Sequence, residues 1–199
     1  MKTLMLAALA ALVAGSAAAQ TTAPDKGKAA PAAKADTKEA PAGAMPVVKP
    51  GPEHQVLKDL VGTWDATVEM ASPGAPPSTS KGIETVKAIG NGLWVVTDFK
   101  SEMMGQPFEG HGVSGYDGVK KKYVGTWVDS MTTSLIVSEG TFDADKKTAT
   151  DVLQGTGMDG KPARWKAVTA WKDADSRVFR MYDEGKDQPS MTITYTRRK

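Results

Sequence analysis

From Thr63 to Met70 the chain alternates: Trp64, Ala66, Val68 and Met70 are apolar, and Thr63, Asp65, Thr67 and Glu69 between them are polar. A period of two puts the apolar set on one face, the pattern of a half-buried strand. Just before it, Pro52 to Leu60 places Val56, Leu57 and Leu60 on one side with a proline near the first turn, predicting one short helix. Turn signals then recur at Gly90-Asn91-Gly92, Gly105-Gln106-Pro107, Asp117-Gly118, Asp143-Ala144-Asp145, Met158-Asp159-Gly160, Asp173-Ala174-Asp175 and Glu184-Gly185-Lys186. The segments between them are rich in Val, Thr, Trp, Tyr and Phe, giving about ten strands at antiparallel spacing. A meander of that length removes its exposed edges most simply by closing on itself. The expected fold is therefore all-β: a single antiparallel meander β-barrel with one short N-terminal helix, a two-sheet sandwich being the alternative. Gly82, Gly110, Gly112, Gly115 and Gly125 fall inside strands and predict bulges or tight bends at barrel corners.

The first fifty residues follow no such pattern. Lys2 precedes an apolar run from Leu4 to Val13, and Gly15 to Ala19 supplies small residues ending in Ala17-x-Ala19. This is the layout of a secretory signal peptide cleaved after Ala19. About ten apolar residues fall short of the roughly 20 that a membrane-spanning helix needs. The chain contains no Cys, so neither a lipid-attached signal nor a disulfide nor a thiolate zinc site is available. Residues 20–50 are Ala, Pro, Lys, Thr and Gly with few large apolar side chains, the composition of a disordered tether. The expected organisation is a signal peptide at 1–19, a tether at 20–50 and one folded domain at 51–199, with the mature protein in the periplasm.

Charge removes some classes of partner. The whole chain carries a formal +2, but from Gly51 onward 19 Lys and Arg stand against 20 Asp and Glu. The domain is thus near neutral, and no basic stripe with interleaved aromatics suggests nucleic acid. Lys120-Lys121-Lys122 and Arg197-Arg198-Lys199 are the only basic runs in it, at a hairpin and at the terminus.

A short helix followed by Gly62-Thr63-Trp64 resembles the Gly-x-Trp opening of the calycins, the lipocalin and fatty-acid-binding barrels. The resemblance implies that Trp64 points into the closed end of a barrel and that an Arg from the end of the sheet packs across it. Met191, Ile193, Tyr195 and Arg197 share a face by period two, which makes Arg197 the candidate. A wider resemblance rests on the stretches His54 to Trp64, Met103 to Gly112, Gly115-Tyr116-Asp117 and Tyr123 to Asp129. These are similar to the bacterial family catalogued as domain of unknown function 1579, which implies an exported, calycin-like barrel and carries no activity to transfer.

Among the candidate residues, His111 stands out in Glu109-Gly110-His111-Gly112, where flanking glycines allow close approach. With Glu102, Glu109, Tyr116 or Asp129 beside it, His111 would serve as a general base or metal ligand; a hydrogen-bonded surface histidine is the plainer reading. The other histidine, His54, lies in the leading helix, and no paired-His motif suggests zinc. Nitrobindins, small calycin-like barrels, hold haem through a late His, and here none follows His111. Met103 and Met104 raise copper, yet neighbours on a strand point to opposite faces. The sequence calls for no metal and no cofactor. Ser130 and Ser134 have no nucleophile elbow around them.

Aromatic residues spread from Trp64 to Tyr195 would either line a small-molecule cavity or fill a packed core. Trp64, Phe108, His111, Tyr116, Trp127 and Tyr182 are the candidate ligand-binding residues, with His111, Glu102 and Tyr116 the candidate catalytic ones. Three functions follow: a barrel holding a small lipophilic or aromatic molecule, gated by hairpins such as Met103 to Phe108; an enzyme using His111 with a carboxylate for isomerisation or hydrolysis; and a barrel that binds a partner on its outside. The first leads, because the calycin resemblance points to binding. No nucleic-acid partner and no membrane span are expected.

Overall fold

The protein is described by a computed structural model covering residues 47–71, 76–103, 105–157 and 159–199. The predicted signal peptide and residues 20–46 of the predicted tether lie outside the described residues, as do Met104 and Met158. Residues 47–50 have no regular secondary structure, with Val47 and Val48 exposed.

Ten strands follow the leading helix: β1 (Gly62–Met70), β2 (Ser78–Ile89), β3 (Trp94–Met103), β4 (Gln106–Asp117), β5 (Lys122–Asp129), β6 (Ile136–Asp143), β7 (Thr148–Thr156), β8 (Pro162–Asp173), β9 (Ser176–Asp183) and β10 (Met191–Arg197). Each pairs antiparallel with its neighbours in sequence, and β1 pairs with β10 from Trp64↔Arg197 to Met70↔Met191. The sheet is one closed barrel rather than two layers, so among the described residues no edge strand remains. The predicted helix is a 3-10 turn, Pro52–His54, running into a single short α-helix, α1 (Gln55–Leu60). Val56 and Leu57 of α1 are buried against Trp64, Val86 and Val95, which plugs one end of the barrel. His54 is buried at that end too, accepting the Gly51 N–H on Nδ1 and meeting the Tyr116 ring edge-on. Among the described residues no helix is long and apolar enough to cross a membrane.

The end of α1 shows what the Gly-x-Trp opening does physically. A helix terminus leaves carbonyls without intrahelical partners. Here Leu60 O accepts the Trp64 Nε1–H at 2.8 Å, while Asp59 O and Val61 O each accept an N–H of Arg197 at 2.7 Å. The Arg197 guanidinium also lies 4.1 Å from the centre of the Trp64 ring. Gly62 has φ +136°, and a Cβ there would stand 2.6 Å from Arg197 Nη1. Only glycine admits both the backbone turn and the arginine.

Deeper inside, Arg177 and Glu84 form a buried ion pair, 3 % and 7 % exposed. The guanidinium is held between aromatic rings, 4.1 Å from the centres of both Trp64 and Tyr195. Glu84 is on β2, Trp64 on β1, Tyr195 on β10 and Arg177 on β9, so the cluster spans the seam where the barrel closes.

The strand glycines correct one expectation. At Gly82, Gly110, Gly112, Gly115 and Gly125 the ladders run through in register, and the shift found among the described residues falls instead between Trp171 and Asp173. Most of these glycines make room for aromatic rings rather than bulges. A Cβ at Gly110 would come 2.1 Å from the Trp127 ring, one at Gly115 2.2 Å from Trp94, and one at Gly82 2.9 Å from Phe99. Rings on neighbouring strands thus lie flat against bare backbone.

Removing one member of the buried pair strands the other charge. Glu84→Gln is expected to lower unfolding free energy by about 3–5 kcal/mol in urea denaturation, with Arg177→Met doing likewise. The double variant is expected to lose clearly less than the sum, which a double-mutant cycle reads directly.

Candidate functional site

A ten-stranded barrel is wider than the eight-stranded kind whose interior side chains alone can fill. Its interior contains a cavity of about 750 Å³ on the side away from α1 and a smaller chamber of about 210 Å³ toward α1. The two share Glu84, Thr97, Ser114, Ser138, Asp151, Phe179 and Tyr195 in their walls and so meet at the barrel's waist.

Alternation along each strand decides what faces inward. Toward the mouth the wall is Phe99 and Phe108, in edge-to-face contact at 6.0 Å, with Trp127, Ile136, Leu153 and Ile193. Met70, Met103, Met131, Met181 and Met191 join them, a flexible and polarizable lining. The β5–β6 connection contributes Met131 to Ser134 at the rim. At the waist the surface turns polar: Thr97, Ser114, Ser138, Asp151 and Tyr195.

Asp151 is the unusual group there. It projects from β7 in phase with Ala149 and Leu153 and lines both chambers. Its carboxylate rests over Gly140 of β6, where a Cβ would come 2.0 Å from Oδ1. Burial pushes the Asp151 carboxyl up from 3.8 to about 6. Among the described residues two buried donors lack a hydrogen-bond partner, Trp171 Nε1 and Arg177 Nη1, both on residues lining the smaller chamber. The Tyr195 hydroxyl is raised well above its usual range, first by burial and then by the neighbouring Glu84.

Comparison with known proteins places this geometry. A family profile described as "Protein of unknown function (DUF1579)" matches residues 49–197. The chain belongs to that family. Among solved structures, the DUF1579 barrel is similar to Rv2717c from M. tuberculosis, with a TM-score of 0.57 and 14% identity over 75% of this chain and 99% of that one. It is also similar to the S-type phycobiliprotein lyase CPES from Guillardia theta, with a TM-score of 0.50 and 13% identity over 72% of this chain and 91% of that one. At such identities the likeness is one of fold. Comparison with curated proteins finds no match.

The DUF1579 barrel distributes the candidate residues unevenly. Phe108 and Trp127 line the large cavity. Trp64 is 0 % exposed and lies beneath the chambers, stacked by Arg177 and Arg197. Tyr116 packs at the plugged end between His54 and Tyr123, contributing to neither chamber wall. Tyr182 faces outward, its ring under Lys166 at 5.5 Å, because its neighbour Met181 occupies the inward position. Glu102 is exposed on the outer face of β3, next to inward Met103.

His111 follows the plainer of its two readings, a hydrogen-bonded surface histidine. It sits on the outer face of β4 between inward Gly110 and Gly112, and its Nδ1 meets Asp98 Oδ1 of β3 at 2.8 Å with both side chains about half exposed. The glycines flanking it accommodate Trp127, not a ligand of the histidine. His111, Glu102 and Tyr116 therefore share no site. Among the described residues no three His, Asp or Glu side chains converge as metal ligands.

Sequence reading passed over Glu84, Asp151 and Arg177. Their signal was present: each is a charged residue on the inward phase of its strand, beside Val86, Leu153 and Phe179 respectively. Without the phase of every strand in hand, they look like ordinary surface charges.

Gly110→Ala is expected to push the Trp127 indole off the wall and cost about 1–3 kcal/mol, read by urea unfolding and a shift in tryptophan emission. Asp151 bears on stability with a definite sign. Its proton is lost earlier in the unfolded chain than in the fold, so the site costs nothing below about pH 4 and its full penalty is present above about pH 6. Asp151→Asn is expected to leave stability unchanged near about pH 3.5 and to raise it by about 1–3 kcal/mol at about pH 7.5.

Proposed function

We propose that this protein is an exported, periplasmic carrier or sensor that holds a small lipophilic or aromatic molecule inside its barrel. The observation carrying this reading is the cavity of about 750 Å³ bounded by aromatic and methionine side chains. That volume falls in the range of small-molecule sites, which are mostly apolar walls with a few convergent polar groups. An interior filled by its own side chains would have served the fold better; retaining empty apolar space forgoes dispersion contacts. The likeness to the phycobiliprotein lyase and to Rv2717c fits a barrel of this kind. Phe108 and Trp127 are the ligand-contacting members of the candidate set, and the β5–β6 rim at Met131 to Ser134 is where a ligand passes. The exported state rests on the signal pattern of residues 1–19.

Catalysis through His111 has no support in the geometry, since the imidazole and its Asp98 partner are separated from the cavity by the barrel wall.

Native against denaturing mass spectrometry of the protein taken from its own periplasm tests the reading. The expected result is a chain beginning at Gln20 with an extra mass that disappears on denaturation. A neutral apolar fluorophore is expected to bind the emptied protein one to one, and Ala167→Trp, which fills the cavity wall, to weaken it at least about tenfold. A clean apo mass together with no fluorophore binding would overturn the proposal.

A further inference from the structure

We infer that the cavity selects lipophilic amines, an apolar body carrying a protonated nitrogen that docks on Asp151. This rests on the ligand-binding reading above and narrows it to a chemical class. Three observations support it.

The first is charge. The walls of the two chambers present three carboxylates, Glu84, Asp129 and Asp151, against one guanidinium and no lysine. The guanidinium of Arg177 is already paired with Glu84, and Asp129 accepts the Trp127 Nε1–H and the Met131 N–H. Of the three, Asp151 is the one with neither a hydrogen-bond partner nor a countercharge among the described residues. An anion would meet a surplus of negative charge; a cation would relieve it.

The second is construction. Gly140 leaves the space in which the Asp151 carboxylate lies, so the acid is seated by the backbone opposite rather than merely tolerated. It stands where the apolar cavity gives way to the polar waist, the position at which the head of an amphipathic molecule would stop. The third is the wall above it, where the rings of Phe99, Phe108 and Trp127 provide faces for a cation on its way in and an apolar surface for the body afterwards. The unpartnered N–H groups of Trp171 and Arg177 lie beyond, toward α1, and suit an oxygen on the same molecule or a water.

The groups facing Asp151 define its pH behaviour. Its strand neighbours present Ser138 and Gly140 from β6 and Ala167 and Thr169 from β8, none of them ionisable. Across the chambers stand Glu84, Tyr123, Asp129, Arg177 and Tyr195. Docking an ammonium would hold the Asp151 carboxyl ionised and bring its titration down from about 6.

The test is calorimetric titration of the full mature protein, stripped of ligand, with decylamine, 1-decanol and decanoate below their micelle concentrations at about pH 7.5. Decylamine is expected to bind at least about tenfold tighter than decanol, with decanoate weakest. Asp151→Asn is expected to abolish the amine advantage while leaving decanol binding in place. Carboxyl carbon NMR is expected to show the Asp151 titration moving to lower pH when decylamine binds. Equal binding of decylamine and decanol, or an amine preference that survives Asp151→Asn, overturns the inference and leaves the apolar-cavity reading standing. Failure of all three to bind overturns both.

Discussion

The buried pair of Arg177 and Glu84 is the constraint on which the rest of the barrel depends. A closed sheet has one seam that chain connectivity does not supply, and here it is the pairing of β1 with β10. The pair reaches across that seam from β2 to β9, with Trp64 and Tyr195 stacked on the guanidinium from the two strands between. Two charges taken out of water are costly unless mutual attraction and close packing compensate them. That condition is met only when all four strands are in register. The cluster thus links the charge cost to the correct closure, and Arg197, spanning the last strand and the end of α1, fastens the same corner from outside.

Closure at that corner leaves a cavity toward the other end. α1, Trp64 and the charged cluster plug the α1 end of the interior, and the larger cavity lies beyond them. Glycines on β4 let Trp127 lie along the wall and widen the space in front of it. The result is a wall of rings and methionines that gives way to a polar waist, with Asp151 at the boundary. A carboxylate held there without a partner subtracts from stability at neutral pH. Glu84, by contrast, offsets the cost of its burial through Arg177.

The outer wall tells a plainer story. His111 with Asp98, Lys100 with Glu109, and Lys120 and Lys122 with Glu139 are cross-strand or near-strand pairs on solvent-facing positions. Exposed pairs of this type contribute little. The features of Glu109-Gly110-His111-Gly112 that suggested chemistry belong to two different faces: the glycines serve the inside and the histidine the outside.

Period two, turn residues and the Gly-x-Trp opening were enough to read strand number, the meander and closure, because these follow from local alternation and from the need to leave no edge. The pairing of Trp64 with an arginine was legible through the calycin resemblance, and period two on the last strand singled out Arg197. The cavity was not legible. Whether an inward aromatic fills space or lines it depends on barrel width and on which glycine stands beside it one strand over, as with Trp127 on Gly110. Tyr182 and Trp127 are equally aromatic in the sequence, and one residue of phase puts them on opposite faces. Asp151 and Glu84 read as two ordinary acids; closure of the sheet brings Arg177 to Glu84, and no described residue brings a countercharge to Asp151. Local pattern determines elements and their faces, since it acts through neighbours in the chain. Only the tertiary structure decides which charges meet and where space is left, since both depend on residues brought together from distant strands.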